Sequence, residues 1–332
     1  MSEKTKRLDY LDELRGLAIL LVVLGHLYLP FTELGQRHPV AQAIYSFHMA
    51  LFFFISGYLC EMTNKIESIG YRGFLNKKLQ VLIVPYLFWL FPGGMMFGNI
   101  EIGSIPDLLH RFAFFPNLNI WFLPVLFTMM LLYAIMHIFL GKEDNVKKRI
   151  IFVLLVSLPL AVHGGIWHSY HSLIYVIYVF SFFFGSLLKS NSVLESVILN
   201  KRIMGLLGGV ILIVWYYFPL ESNGRSLISM VNLVYSFVCA LLAIIVLYNL
   251  FYKNDFPATV KRVLREFGQM SLVIYLLPIN FLPDHYVFHG YSDTTINIFI
   301  FILGLLQCVL ACIIGHIVYQ FPYLRLLMFG KR

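Results

Sequence analysis

The sequence predicts an all-α polytopic membrane protein, a bundle of about ten transmembrane helices with both termini cytoplasmic. Three observations predict it. Of 332 residues, 59% are apolar and only 13% are Asp, Glu, Lys or Arg, against roughly 45–50% and about 25% in soluble domains. The apolar residues fall into long runs, most of them near the ~20 residues a helix needs to cross a bilayer. The positive charges cluster in alternate connections between those runs. So little charge cannot cover a soluble enzyme, and the composition equally excludes a disordered chain and a nucleic-acid reader, despite a formal net charge of +8.

Taken in order, the runs cover 14–31, 43–60, 79–97, 120–140, 149–163, 172–189, 203–220, 229–251, 268–284 and 294–320. Basic residues precede the first, with no small-residue cleavage site after it, so it is expected to stay as an anchor. A short connection makes the second its neighbour. The fifth is short, and is expected to be tilted or only partly inserted. Little chain remains outside the runs, so residues 1–332 read as a single integral-membrane domain. With the N-terminus inside, only Arg37, Arg111 and Arg225 of the 25 Lys and Arg lie in outer connections, as the positive-inside rule requires. The basic charge then reports topology and attraction to anionic lipid heads.

No Asp or Glu lies near the middle of a run, which counts against an ion-coupled transporter. The ionisable residues within runs are His26, His48, His137 and His316. His26 and His48 each lie about five residues below an outer end, roughly 6–8 Å deep. His137 and His316 fall near inner ends and read as interfacial or helix-packing residues. Arg15 precedes His26 by eleven positions, three turns plus about 20°, so the two share one helix face about 16 Å apart. A guanidinium at the inner mouth suits phosphate recognition; an imidazole at depth suits proton abstraction or acyl acceptance. The alternative role for Arg15 is a snorkelling anchor paired with Asp12, three residues before it.

Other features read as packing. Ser56-Gly57 and the Gly205/Gly209 pair are small-residue contacts, and Cys60, Cys239, Cys308 and Cys312 are small packing residues with no disulfide framework. Trp121 lies near an outer end, where aromatic belts form. His38, His110, His163, His168, His171, His285 and His289 read as surface or interface histidines, with no metal site expected.

The segment LDELRGLAILLVVLGH, ending at His26, resembles the signature of the acyltransferase 3 family. FHMALFFFISGYL at 47–59 and IWFLPVLF at 120–127 are similar to its fucose 4-O-acetylase-like branch, with weaker echoes in FFFGSLLK and FGQMSLVIYLL. The resemblance implies a ten-helix protein of the bacterial cytoplasmic (inner) membrane. It would move an acetyl group from cytoplasmic acetyl-CoA, a substrate and not a bound cofactor, to a hydroxyl of an exported or lipid-linked glycan. It marks His26 and Arg15 as essential, and His48, Ser56, Gly57, Tyr58 and Trp121 as motif positions. Two departures stand out. NKKLQVLIVPY carries Lys77 and Lys78 where relatives often have an arginine pair, and Pro278 stands where many have His. The expected machinery is thus His26, Arg15 and His48, with Asp12, Lys77, Lys78, Ser56, Tyr58 and Trp121 near the substrates. The connection at about 98–119 is expected to cover the acceptor site as a lid or re-entrant segment. A transporter or flippase of a lipid-linked sugar is the alternative from another class; a succinyl or longer acyl donor is the alternative within the family.

Overall fold

The computed structural model describes residues 3–32, 34–35, 38–63, 65–89, 120–141, 145–166, 170–217, 227–253, 256–277 and 291–331. The described residues are helical and linked by short turns. In chain order they form α1 (Glu3–Phe31), α2 (Pro39–Tyr45), α3 (His48–Thr63), α4 (Lys65–Lys78) and α5 (Val84–Phe88), the last two joined by a π-helical stretch, Leu79–Ile83. Then come α6 (Phe122–Leu140), α7 (Val146–Ile166), α8 (Tyr170–Ser190), α9 (Ser192–Ile198), α10 (Lys201–Tyr217) and α11 (Leu227–Lys253). The chain closes with α12 (Ala258–Gln269), α13 (Ser271–Leu276), α14 (Asp293–Tyr319) and α15 (Pro322–Phe329).

Among the described residues, five spans are long and apolar enough to cross a membrane: Asp9–Phe31, Pro39–Thr63, Phe122–Leu140, Val234–Lys253 and Asp293–Tyr319. The bent pair Ile174–Ser190 and Ser192–Ile198, meeting at 108°, makes a sixth if it counts as one span. The protein is a multi-pass, all-α membrane protein. Each of the ten apolar runs falls at least partly on helix, but not all as a full span. The run at 203–220 becomes a 17-residue helix. The runs at 79–97 and 268–284 are described only in part, as short segments ending at Trp89 and Leu277. The loop at 98–119, Pro278, and His110, His168, His285 and His289 lie outside the described residues, as do the side chains of His163 and His171.

α1 and α3 are the most enclosed spans, and α14 is the most open. Outward faces of the peripheral helices carry exposed Phe139, Leu155, Leu206, Leu212 and Leu306, the surface that lipid tails cover in place of water. Helices approach most closely at glycines. A Cβ on Gly57 would sit 1.8 Å from the Phe182 carbonyl oxygen, and one on Gly185 would sit 2.1 Å from that of Phe54, so α3 and α8 touch backbone to backbone. Gly16 and Gly268 do the same between α1 and α12, against Leu264 and Asp12. The small-residue reading of Gly57 therefore holds. That of Gly205 and Gly209 does not: among the described residues nothing lies within 4 Å of a Cβ on either, because α10 turns this face outward. Gly57→Ala is expected to cost about 1–3 kcal/mol through overpacking, read as a lower melting temperature in detergent; an unchanged value would refute backbone contact at this crossing.

Candidate active site

The second apolar run is not one helix. It breaks at Ser46 and Phe47, and the break is braced by α10: the Trp215 indole N–H donates to Ser46 Oγ at 3.3 Å, and its ring stacks on Phe47 at 5.6 Å. The break makes His48 the first residue of α3, 4% exposed. Its Nδ1 lies 2.8 Å from the Ile44 carbonyl oxygen. A carbonyl only accepts, so Nδ1 carries the proton and Nε2 of the neutral ring is left as the acceptor.

Tyr45 joins His48 to His26. Its ring meets the His48 ring edge-on at 5.2 Å and the His26 ring at 6.4 Å. Gly25 permits this approach, since a Cβ there would press on Ile44 at 3.3 Å. The two histidines expected at matching depth thus flank one tyrosine. Between Leu14 and Tyr28, only Arg15, Leu17, Leu21 and His26 keep appreciable accessible surface. Arg15 and His26 are the polar members of that set, one towards each end of a helix that is otherwise enclosed. At the Arg15 end, Arg15 Nη1 lies 3.8 Å from Asp12 Oδ1.

Around this end, Arg265 Nη2 donates to Glu13 Oε1 at 2.8 Å and lies 3.2 Å from Asp9 Oδ2, tying α12 to α1. The Glu13 hydrogen bond is the main cause that raises the Arg265 pKa. On the outer face of α12, Lys261, Arg262, Arg265, Glu266 and Gln269 line a shallow groove of about 320 Å³. Lys77 is exposed, and the Lys78 ammonium sits 5.2 Å from the Phe74 ring centroid. Both press on Lys65, whose pKa is lowered by burial first and then by these two cations.

Other motif residues are engaged inside the protein. Trp121 stacks on Tyr178 at 5.5 Å. Tyr58 is 2% exposed, and its hydroxyl donates to Glu195 Oε1 at 2.8 Å. Tyr248 donates to the same oxygen at 2.5 Å, and Tyr10 donates to Tyr58 at 3.3 Å. The Tyr58 hydroxyl proton is thus directed at a carboxylate. Ser56 adjoins the Gly57 crossing and is half-buried.

Sequence reasoning missed two buried-network carboxylates, Glu61 and Glu195, because both lie outside the apolar runs. Glu195 sits in α9, which meets α8 at 108°. Glu61 follows the second run and accepts from Arg149 Nη2 at 2.9 Å, Ser186 Oγ at 2.8 Å and Tyr133 at 3.0 Å, with His137 Nε2 4.0 Å away. His137 lies edge-on to the Tyr133 ring at 4.5 Å, and His316, 2.8 Å from Glu266, is exposed. His38, expected at a surface or interface, is 6% exposed and stacked on Tyr28 at 4.7 Å.

The sequence profile of the acyltransferase domain matches residues 8–317, most of this chain. The chain belongs to the acyltransferase 3 family. It is therefore an acyltransferase enzyme, and membership implies an acyl donor. Among curated relatives, the acyltransferase is 39% identical over 82 residues to nodulation protein NolL of Sinorhizobium fredii, covering 24% of this chain and 22% of the relative. It is 37% identical over 82 residues to nodulation protein NolL of Mesorhizobium japonicum, covering 24% and 21%. The match thus spans about a fifth of these relatives' length. No solved structure matches this family member.

Proposed function

We propose that this acyltransferase, of the fucose 4-O-acetylase-like branch, moves an acetyl group from cytoplasmic acetyl-CoA to a hydroxyl of an exported or lipid-linked glycan. It would work in the bacterial inner membrane, as one domain over residues 1–332 crossing ten times with both ends cytoplasmic. Lys331 donates to the Gln269 carbonyl at 3.3 Å, and Gly268 abuts Asp12. The chain's two ends therefore share one pole of the bundle, which supports an even number of crossings.

The observation that carries the reading is the pair Arg15 and His26, accessible at opposite ends of an enclosed helix. In this mechanism Arg15, with Asp12 orienting it and Lys77 and Lys78 on the rim, holds CoA phosphates while the thioester reaches His26. His26 takes the proton of a sugar hydroxyl, whose oxygen attacks the thioester carbonyl. The C–S bond then breaks, and the CoA sulfur leaves with the proton from His26. Transfer through an acyl-His26 intermediate gives the same products. His48, on the far side of Tyr45, orients His26 or polarises the carbonyl, and Trp121 borders the acceptor side. The test is thiol release from acetyl-CoA by purified protein in nanodiscs, with and without candidate glycans. Arg15→Ala is expected to weaken donor affinity roughly 10-fold or more, the scale of a lost hydrogen bond to a charged group. Absence of glycan-stimulated thiol release, or unchanged donor affinity in Arg15→Ala, would sink the reading.

A further inference from the structure

The C-terminal segment brings more positive charge to Arg15 than the helix-1 motif accounts for. α15 is pinned by the Trp89 indole N–H, which donates to the Met328 carbonyl at 3.0 Å, and by the Gln80 amide, which donates to that of Gly330 at 3.1 Å. Gly330 has φ 63°, and a Cβ there would lie 2.4 Å from the Gln80 carbonyl oxygen, so glycine alone permits this seat. The next residue, Lys331, sets its ammonium over the Tyr319 ring, 4.9 Å from the centroid, and on the Gln269 carbonyl beside Asp12. Burial first, and then the charge of Arg15, hold the Lys331 pKa below the ordinary lysine value; Arg325 adds to this and Asp12 opposes it.

Arg15 and Arg325 both lie near enough to Lys331 to act on its charge, and Lys331 itself sits on Tyr319 and Gln269, next to the Gly268–Asp12 contact. Among the described residues no carboxylate pairs with Arg325 or Lys331, and Arg15 has Asp12 at 3.8 Å. Two further donors are buried without an acceptor there: the Tyr319 hydroxyl and Arg325 Nε. Buried donors are normally satisfied, and cations that repel one another are stabilised by an anion carrying several acceptor oxygens. We propose that Tyr319, Arg325 and Lys331 complete, with Arg15, a binding site for a phosphate group. The site deepens the donor reading above and rests on it where the phosphate belongs to CoA; the headgroup of an anionic phospholipid offers the same chemistry.

The experiment uses the full chain and the variants Arg325→Gln, Lys331→Gln and Tyr319→Phe, the last removing a single oxygen and so keeping the fold. In phosphatidylcholine nanodiscs, calorimetry measures binding of CoA, of dephospho-CoA and of phosphate-free pantetheine. In detergent, thermal melting measures stabilisation by dioleoylphosphatidic acid. Each variant is expected to weaken CoA binding roughly tenfold without changing that of pantetheine. Variants that keep CoA affinity but lose stabilisation by phosphatidic acid assign the same site to a lipid headgroup. Variants indistinguishable from wild type in both arms overturn the site. Wild type that binds no CoA removes the donor reading alone, and the lipid arm then decides the site.

Discussion

His26→Ala is expected to lower acetyl transfer by about 10²–10⁴-fold, the usual contribution of a positioned acid–base group, while leaving CoA affinity near wild type. The separation follows from geometry. His26 lies eleven residues, about 16 Å, beyond Arg15 along α1, so removing the imidazole leaves the phosphate end of the proposed donor path untouched. His48→Gln measures the partner's share. His48 Nδ1 is held by the Ile44 carbonyl and its ring meets Tyr45, which meets His26, so a positioning residue predicts a smaller loss, seen in turnover and not in donor KM. Steady-state thiol release gives both constants. Wild-type turnover in His26→Ala would dismiss it as the reacting base, and wild-type turnover in His48→Gln would dismiss the coupling through Tyr45.

The largest expected effect on stability is at Glu61. Arg149, 8% exposed, has its guanidinium on Glu61 Oε1 and on Ser186 Oγ, while Ser186 and Tyr133 complete the carboxylate. Glu61→Ala would take from Arg149, Ser186 and Tyr133 the carboxylate they share. Breaking such a pair from one side costs about 3–5 kcal/mol, enough to consume much of a typical folding margin. Replacing both partners, Glu61→Leu with Arg149→Met, should recover most of that loss, because no buried charge then remains. Thermal melting of the two variants in one detergent decides the matter. A single variant as stable as wild type would show that Arg149 finds water or lipid phosphate instead. A double variant no better than the single would show that the network is needed for specificity of packing.

What could be read from the chain itself was whatever depends on one helix or on composition. The apolar runs name the helical segments because bilayer crossing demands length and apolarity, both local properties. The shared face of Arg15 and His26 follows from helical periodicity alone. The closeness of His26 and His48 follows from one short connection between neighbouring elements. Everything that joins elements far apart in the chain was decided by tertiary packing. Glu195 reaches Tyr58 across 137 positions, and Glu61 reaches Arg149 across 88. No periodicity encodes such pairings. They are set by where Gly16, Gly57, Gly185 and Gly268 let backbones touch, and by the fold-back that carries Lys331 to Gln269. A carboxylate just past an apolar run looks like a solvated loop residue in sequence. Only the packed bundle, which offers it an arginine or two phenols in place of water, makes its burial affordable.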